Sequence, residues 1–428
     1  MLVIEAKLKG TRSQYSKLDE AIRTGQFIQN TCLRYWEDNQ GISRKDLQKL
    51  CSVLAKNKKT PWARKLNSQP RQAHADRAWV SIEHFYSDCR LGKPGKKGYP
   101  KYKKFSRSFE YKHSGWKLSA DRRQIRFTDV FEVGMMDLWS SRDLLWYTEK
   151  QISRVRVIRS ADGYYAQFLV NWEIRQEHPF QGKMTGINLG LKEFYTDSDG
   201  NTVENTRYLR KSEGRLKMLQ CRVSKKHIER KKQSKRYHVS RKALGKQHLK
   251  VSRKREDKAR KDALALVSSN ELIVYEDLKI KNMVKNHHLA KSISDASWYQ
   301  FTRWLQYFAK VHGVIVIAVP PHNTRIDCFC CGAKVKKNLS TRPHRCNQCG
   351  TVLDRDHNAA KNILAKGFKL LSQYLNGTVG HTESRAKSSK AQGEPDLWLK
   401  NGDALVLSRL DELRTKVSWE SLARLLSN

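Results

Sequence analysis

Residues 328–364 read CFCCGAKVKKNLSTRPHRCNQCGTVLDRDHNAAKNIL, and two readings of that stretch decide the fold. Cys328-x2-Cys331 and Cys346-x2-Cys349 are two knuckles that can present four thiolates tetrahedrally to Zn²⁺, with Cys330 inside the first of them as a bystander. Four protein ligands close the coordination sphere, so the spacing predicts a structural zinc ribbon. Directly after it, LDRDHNAAKNIL places acids at the start of a helical pattern. Upstream, the apolar run GVIVIAVP reads as a buried strand. SWYQFTRWLQYFAKVHG carries Phe301, Trp304, Leu305 and Phe308 at i, i+3, i+4 and i+7, the spacing of an amphipathic helix. NELIVYEDL is a further buried strand, and TGINLGLKEFYTDSDGNTV gives a strand, a Gly-containing turn and a second strand. Strands alternating with helices predict an α/β layered domain into which the ribbon is inserted.

The N-terminal half differs. Residues 1–9 alternate as a strand, and about 11–90 takes helical spacing with aromatic and basic residues interleaved. LGKPGKKGYPKYKKFSRS (91–108) is an extended basic loop. From about 116 the pattern is strand-like, and Asp162-Gly163 separates two runs rich in Val, Ile, Tyr and Phe, a hairpin. The expected fold class is α+β multidomain: a helical lobe and a β-rich, barrel-like module, then the α/β domain. The expected boundaries are 1–10 (a strand of the β-rich module), 11–115 (helical lobe and basic loop), 116–182 (β-rich module), 183–320 (α/β domain, first part), 321–352 (ribbon), 353–370 (last α/β motif) and 371–428 (a partly disordered tail with a helical stretch near its end).

Lys and Arg number 84 against 42 Asp and Glu, a net charge of +42 in 428 residues. An excess of that size repels itself unless a polyanion neutralises it, which points to nucleic acid. The basic helical stretch at about 207–264 carries Lys and Arg on every face, as a phosphate-contacting pair or a solvated one would. No run of about 18 apolar residues suggests a membrane span, and MLVIEAKLKG lacks the order of a secretory signal. Cysteines grouped for a metal suit a reducing compartment, so a cytosolic location is expected.

GINLGL (186–191), a strand ending in E-D-L (274–278), KSISDASW, the ribbon and DRDHNAAKNIL occur in an order that resembles the TnpB family, transposon-encoded relatives of the type V CRISPR nucleases. The likeness is specific over about 183–367 and weaker over 91–182. It implies a RuvC/RNase H-like α/β domain and an RNA-guided DNA endonuclease of the prokaryotic cytosol or nucleoid. A guide RNA from a transposon end would pair with double-stranded target DNA beside a short motif, and a RuvC site with Mg²⁺ would cut. Carried over by motif, Glu276 is the second acid and Asp356 the third, both magnesium ligands, while Asp354 positions the turn. The first acid falls on Asn188. An amide offers a cation one neutral oxygen where a carboxylate brings charge and can bridge two ions, so the resemblance implies guided binding with cleavage lost or strongly impaired. An engineered inactive mutant and a natural RNA-guided repressor both fit. Other readings are a still-active Mg²⁺-dependent endonuclease and a basic zinc-ribbon RNA-binding protein.

Overall fold

A computed structural model describes residues 2–375, apart from residues 40, 93, 94, 96, 130, 141, 173–181, 339 and 340. The expected tail from 376 onward, with its helical stretch, lies outside the described residues. The chain divides into two compact units, Met1–Glu173 and Ile174–Asn428.

In the first unit, β1 (Leu2–Lys9) alternates inward Leu2, Ile4, Ala6 and Leu8 with outward residues. Four helices follow: α1 (Arg12–Asp38), α2 (Arg44–Lys56), α3 (Pro61–Lys65) and α4 (Ser68–Arg90). The first opens with a capping box between Thr11 and Gln14. Six more strands are β2 (Ser108–Tyr111), β3 (Trp116–Leu118), β4 (Gln124–Phe127), β5 (Met135–Trp139), β6 (Ile152–Ser160) and β7 (Gly163–Val170). The seven-stranded sheet runs β2-β6-β7-β1-β5-β4-β3, with β1 at its centre. Its first and sixth strands meet through their side chains, because the Tyr111 and Phe127 rings stack at 5.3 Å. The sheet therefore curls toward a barrel.

Two details differ from the sequence reading. Strand β2 falls inside the span expected to be lobe and loop: Phe109 and Tyr111 are buried aromatics directly after the lysine-rich run, and their burial outweighs its charge. The β6–β7 turn is Ala161-Asp162, with Gly163 already paired to Ser160. Arg154 and Arg156 on β6 converge with Arg77 on the buried Glu110. Burial pushes that carboxyl up, but the hydrogen bond from Arg156 and the three positive charges outweigh it and hold Glu110 below its ordinary range.

The second unit is built on β8 (Met184–Leu189), β9 (Glu193–Asp197), β10 (Thr202–Glu204), β11 (Leu272–Glu276) and β12 (Ile315–Val319), in the order β10-β9-β8-β11-β12. Strand β11 is parallel to β8 and β12, whereas β9 is antiparallel to its neighbours. This is the mixed sheet of an RNase H-like domain. Between β10 and β11 lie the basic helices α5 (Tyr208–Ser224) and α6 (Lys235–Ser269). Between β11 and β12 lie α7 (Ile280–Met283), α8 (His287–Ala296) and α9 (Trp298–His312).

Alternation divides the sheet residues between two faces. Ile187, Leu189, Ile273, Tyr275, Val316 and Ala318 pack with α6 and α9, where Phe301 and Leu305 are fully buried. Leu272, Val274, Ile315, Ile317 and Val319 pack against α10 (Arg355–Leu375) through Ile363, Phe368 and Leu371. Between β12 and α10 the chain leaves the domain to form the ribbon, whose hairpin is β13 (Pro343–Arg345) with β14 (Val352–Asp354). The hairpin thus ends at Asp354, two residues beyond the expected ribbon boundary.

Candidate metal centre and acidic cluster

Two turns of the same design build the ribbon. In each, the glycine after the second cysteine sits in the left-handed region, Gly332 at φ 74° and Gly350 at φ 70°. Each donates its N–H to the carbonyl of the first cysteine, Gly332 to Cys328 at 2.9 Å and Gly350 to Cys346 at 3.0 Å. The two knuckles bring Cys328, Cys331, Cys346 and Cys349 together, with all four Sγ atoms within 4.8 Å of one another. Cys328 lies 3.6 Å from Cys349 and Cys331 lies 3.5 Å from Cys346. A tetrahedron with Zn–S bonds of about 2.3 Å has edges of about 3.8 Å, so the group is compatible with zinc. Cys330 stands outside it. Two of the four thiolates are favoured locally: a hydrogen bond from the Thr351 hydroxyl draws Cys349 down to about 6, and the Cys349 N–H draws Cys346 down. Burial instead pushes Cys328 up and, against the Ala333 N–H, the neighbouring sulfurs push Cys331 up to about 12.

The second site grows from sheet register. Strands β8 and β11 pair Ile187 with Tyr275, so their next residues, Asn188 and Glu276, stand side by side. Alternation puts both on the face covered by α10, with Gly186 and Val274 two residues earlier. Asn188 is 1% exposed and Glu276 is 2% exposed. Helix α10 lies unusually close to that face, because a Cβ on Gly186 would be 2.3 Å from the Ala360 carbonyl oxygen. Asp356 is in its first turn, on the stripe shared with Ala360, Ile363 and Gly367. The Asp354 carboxylate accepts the Asp356 N–H at 2.7 Å and so starts the helix.

Each of these three positions bonds to the segment that carries the ribbon. Thr324 donates its hydroxyl to Glu276 Oε1 at 2.5 Å. Arg325 Nη2 donates to Asn188 Oδ1 at 2.9 Å and to the Leu189 carbonyl at 3.2 Å. Arg342 Nη1 meets Asp356 Oδ2 at 2.6 Å. The segment is fixed in turn by α10. Asn362 Nδ2 donates to the carbonyls of Thr324 and Asp327, while Asn358 Nδ2 donates to Asp327 and its Oδ1 accepts from the Phe329 N–H.

Thr324 and Arg325 escaped the sequence reading, although they directly precede the first knuckle. Asp295 of KSISDASW also acquires a role. Its carboxylate accepts the N–H groups of Leu209 and Arg210 at the start of α5 and pairs with Arg255 of α6 at 2.9 Å, which ties three helices together.

Comparison with known proteins matches both halves of this domain. The profile of the "Cas12f1-like, TNB domain" family covers residues 298–363, and the profile described as "Probable transposase" covers 167–287. The chain is 27% identical over 369 residues to the "Putative RNA-guided DNA endonuclease InsQ" of Escherichia coli (strain K12), spanning 81% of this chain and 87% of that protein. It is 30% identical over 275 residues to a "Putative RNA-guided DNA endonuclease" of Streptomyces pristinaespiralis, spanning 63% and 66%. To the "TnpB-like protein L79" of Acanthamoeba polyphaga mimivirus it is 33% identical over 142 residues, spanning 32% and 27%. With the ordered motifs, the RNase H-like sheet and the inserted four-cysteine ribbon, these matches establish that the chain belongs to the TnpB family.

Proposed function

We propose that the chain is an RNA-guided DNA-binding protein of the TnpB type that pairs a guide RNA with target double-stranded DNA and does not cut it. The relatives' names supply the guided chemistry, and the net charge of +42 suits a protein that must hold two polyanions. The exposed lysines and arginines of α5, α6 and their connection would grip backbone phosphates.

The observation that carries the loss of cutting is the Asn188–Arg325 contact beside Glu276. The family implies Mg²⁺ here, and paired divalent cations would supply an activated water and stabilise the charge of phosphodiester cleavage. The residues present do not fit that group. Position 188 is neutral, its buried Nδ2 is a donor without an acceptor among the described residues, and its Oδ1 already accepts from the Arg325 guanidinium. No hydrolytic step is therefore assigned to this chain. Binding without cutting suits a guided repressor. Zinc has a structural part in the ribbon.

The test is to purify the full chain with its bound RNA, sequence that RNA, and incubate the complex with matched DNA in Mg²⁺. One defined RNA ending in a variable segment, with matched DNA retained intact, is the expected result. Cut DNA would establish an active endonuclease instead, and mixed cellular RNA with no guided binding would leave a basic zinc-ribbon RNA-binding protein.

A further inference from the structure

We propose that Arg325 is a resident cation that closes the pocket at position 188 to a divalent ion, so that restoring the carboxylate alone does not restore metal binding. The inference rests on the reading of residues 188, 276 and 356 as one cluster.

Arg325 reaches this pocket through two bonds from one nitrogen, to the Asn188 side chain at 2.9 Å and to the Leu189 carbonyl at 3.2 Å. The second bond is to backbone and survives any change of side chain at 188. The backbone that carries Arg325 has little freedom. Thr324, 2% exposed, is held by its hydroxyl on Glu276 and by its carbonyl on Asn362, and Asp327 is held by Asn358 and Asn362. The guanidinium is thus delivered by a loop stapled to α10, not by a side chain adrift in solvent. Its Nε and the Asn188 Nδ2 are both buried donors without an acceptor among the described residues. That surplus of donors suits a negative group and opposes a cation.

Consider what Asn188→Asp does in this setting. The new carboxylate arises against a guanidinium already at hydrogen-bond distance, so a bond from a cation to a neutral amide becomes an ion pair between two full charges. Arginine cannot shed its proton in a protein, so no accessible pH removes the competitor. The substitution tightens the contact that excludes the ion. Opening the pocket takes a second change, Arg325→Ala, which removes the cation and leaves the carboxylate free.

The experiment compares wild type, Asn188→Asp, Arg325→Ala and the double variant Asn188→Asp/Arg325→Ala, each as the full chain with its RNA. Mn²⁺ is the probe, followed by electron paramagnetic resonance in the absence of DNA. The variant Glu276→Gln/Asp356→Asn sets the background of ions held by RNA, and equal zinc and RNA contents certify folding. A charge-assisted bond lost on opening the pocket should make the double variant bind Mn²⁺ at least about tenfold more tightly than Asn188→Asp, which stays near wild type. If Asn188→Asp binds Mn²⁺ as tightly as the double variant, Arg325 is no barrier and the proposal fails while the cluster stands. Should all four match the background, the cluster reading fails and the proposal with it.

Discussion

A missing side chain decides how closely α10 approaches the sheet, and glycine substitutions should respond with opposite signs at two positions. A Cβ on Gly186 would stand 2.3 Å from the Ala360 carbonyl oxygen and 2.7 Å from the Leu364 nitrogen, both helix backbone that cannot rotate away. Gly186→Ala should therefore force α10 off the sheet and cost about 1–3 kcal/mol or more, as overpacking does. Gly214, within α5, has nothing within 4 Å of its Cβ position. Gly214→Ala should raise stability by up to about 1 kcal/mol through helix propensity. Chemical denaturation of the two variants reads both signs, and a neutral Gly186→Ala would refute the close approach. The sequence announces such residues unevenly. Glu276 is legible as the acid that ends the apolar run of β11, and Asn188 only through the motif that resembles the family's. The Arg325 contact is not, since it joins positions 137 residues apart and no periodicity relates them. The left-handed glycines of the knuckles are legible because C-x2-C-G occurs twice, whereas Gly186 looks like any glycine in a strand.

Periodicity exposes the elements best where one face is buried and one is wet. The α9 stripe of Phe301, Trp304, Leu305 and Phe308 is of this kind, whereas β11 and β12 are buried on both faces and declare themselves as unbroken apolar runs. Strand β2 is only four residues long and follows a lysine-rich loop, so it has too little alternation to declare itself, and its membership of the sheet rests on pairing with β6. The ribbon is the element whose stability the sequence predicts most directly, because metal binding and folding are one process there. Cys346→Ser should release zinc and unfold the β13–β14 hairpin. The segment between β12 and α10 also supplies Thr324, Arg325 and Arg342 to the cluster, so the damage should extend to α10. Zinc content and hydrogen exchange at the N-terminal turn of α10 would check this. Cys330→Ser, at the cysteine outside the four, should keep full zinc. A fully zinc-loaded Cys346→Ser protein would overturn the ribbon assignment.

Charge acts over the whole molecule, and its consequences are measured with salt. Exposed basic residues crowd the α5–α6 connection and the first turns of α6: Lys231, Lys232, Arg236, Arg241, Lys242 and Lys246. The buried residues of α6 lie mostly in its C-terminal half, where Ala259, Ala263, Leu266 and Val267 meet the core. The N-terminal half buries Ser240, which accepts from Lys226, and keeps these basic side chains exposed. If these cations sit on phosphates, each contact releases counterions, and log affinity for RNA falls linearly with log salt at a slope of about 0.7–0.9 per phosphate neutralised. Replacing Arg241, Lys242 and Lys246 together by Gln should flatten that slope by about 2–3 and weaken RNA binding at low salt. The three side chains are exposed, so the thermal midpoint of the RNA-free chain should hold or rise as self-repulsion eases. A solvated face would give the other result, an unchanged slope. The Asn188 pocket, by contrast, is shielded from bulk ions, and its hydrogen bonds should be far less sensitive to the same salt series. Guided retention of DNA and loss of RNA grip are therefore separable: substitutions on α6 should change the slope for RNA, and substitutions at 188 and 325 should leave it where it was.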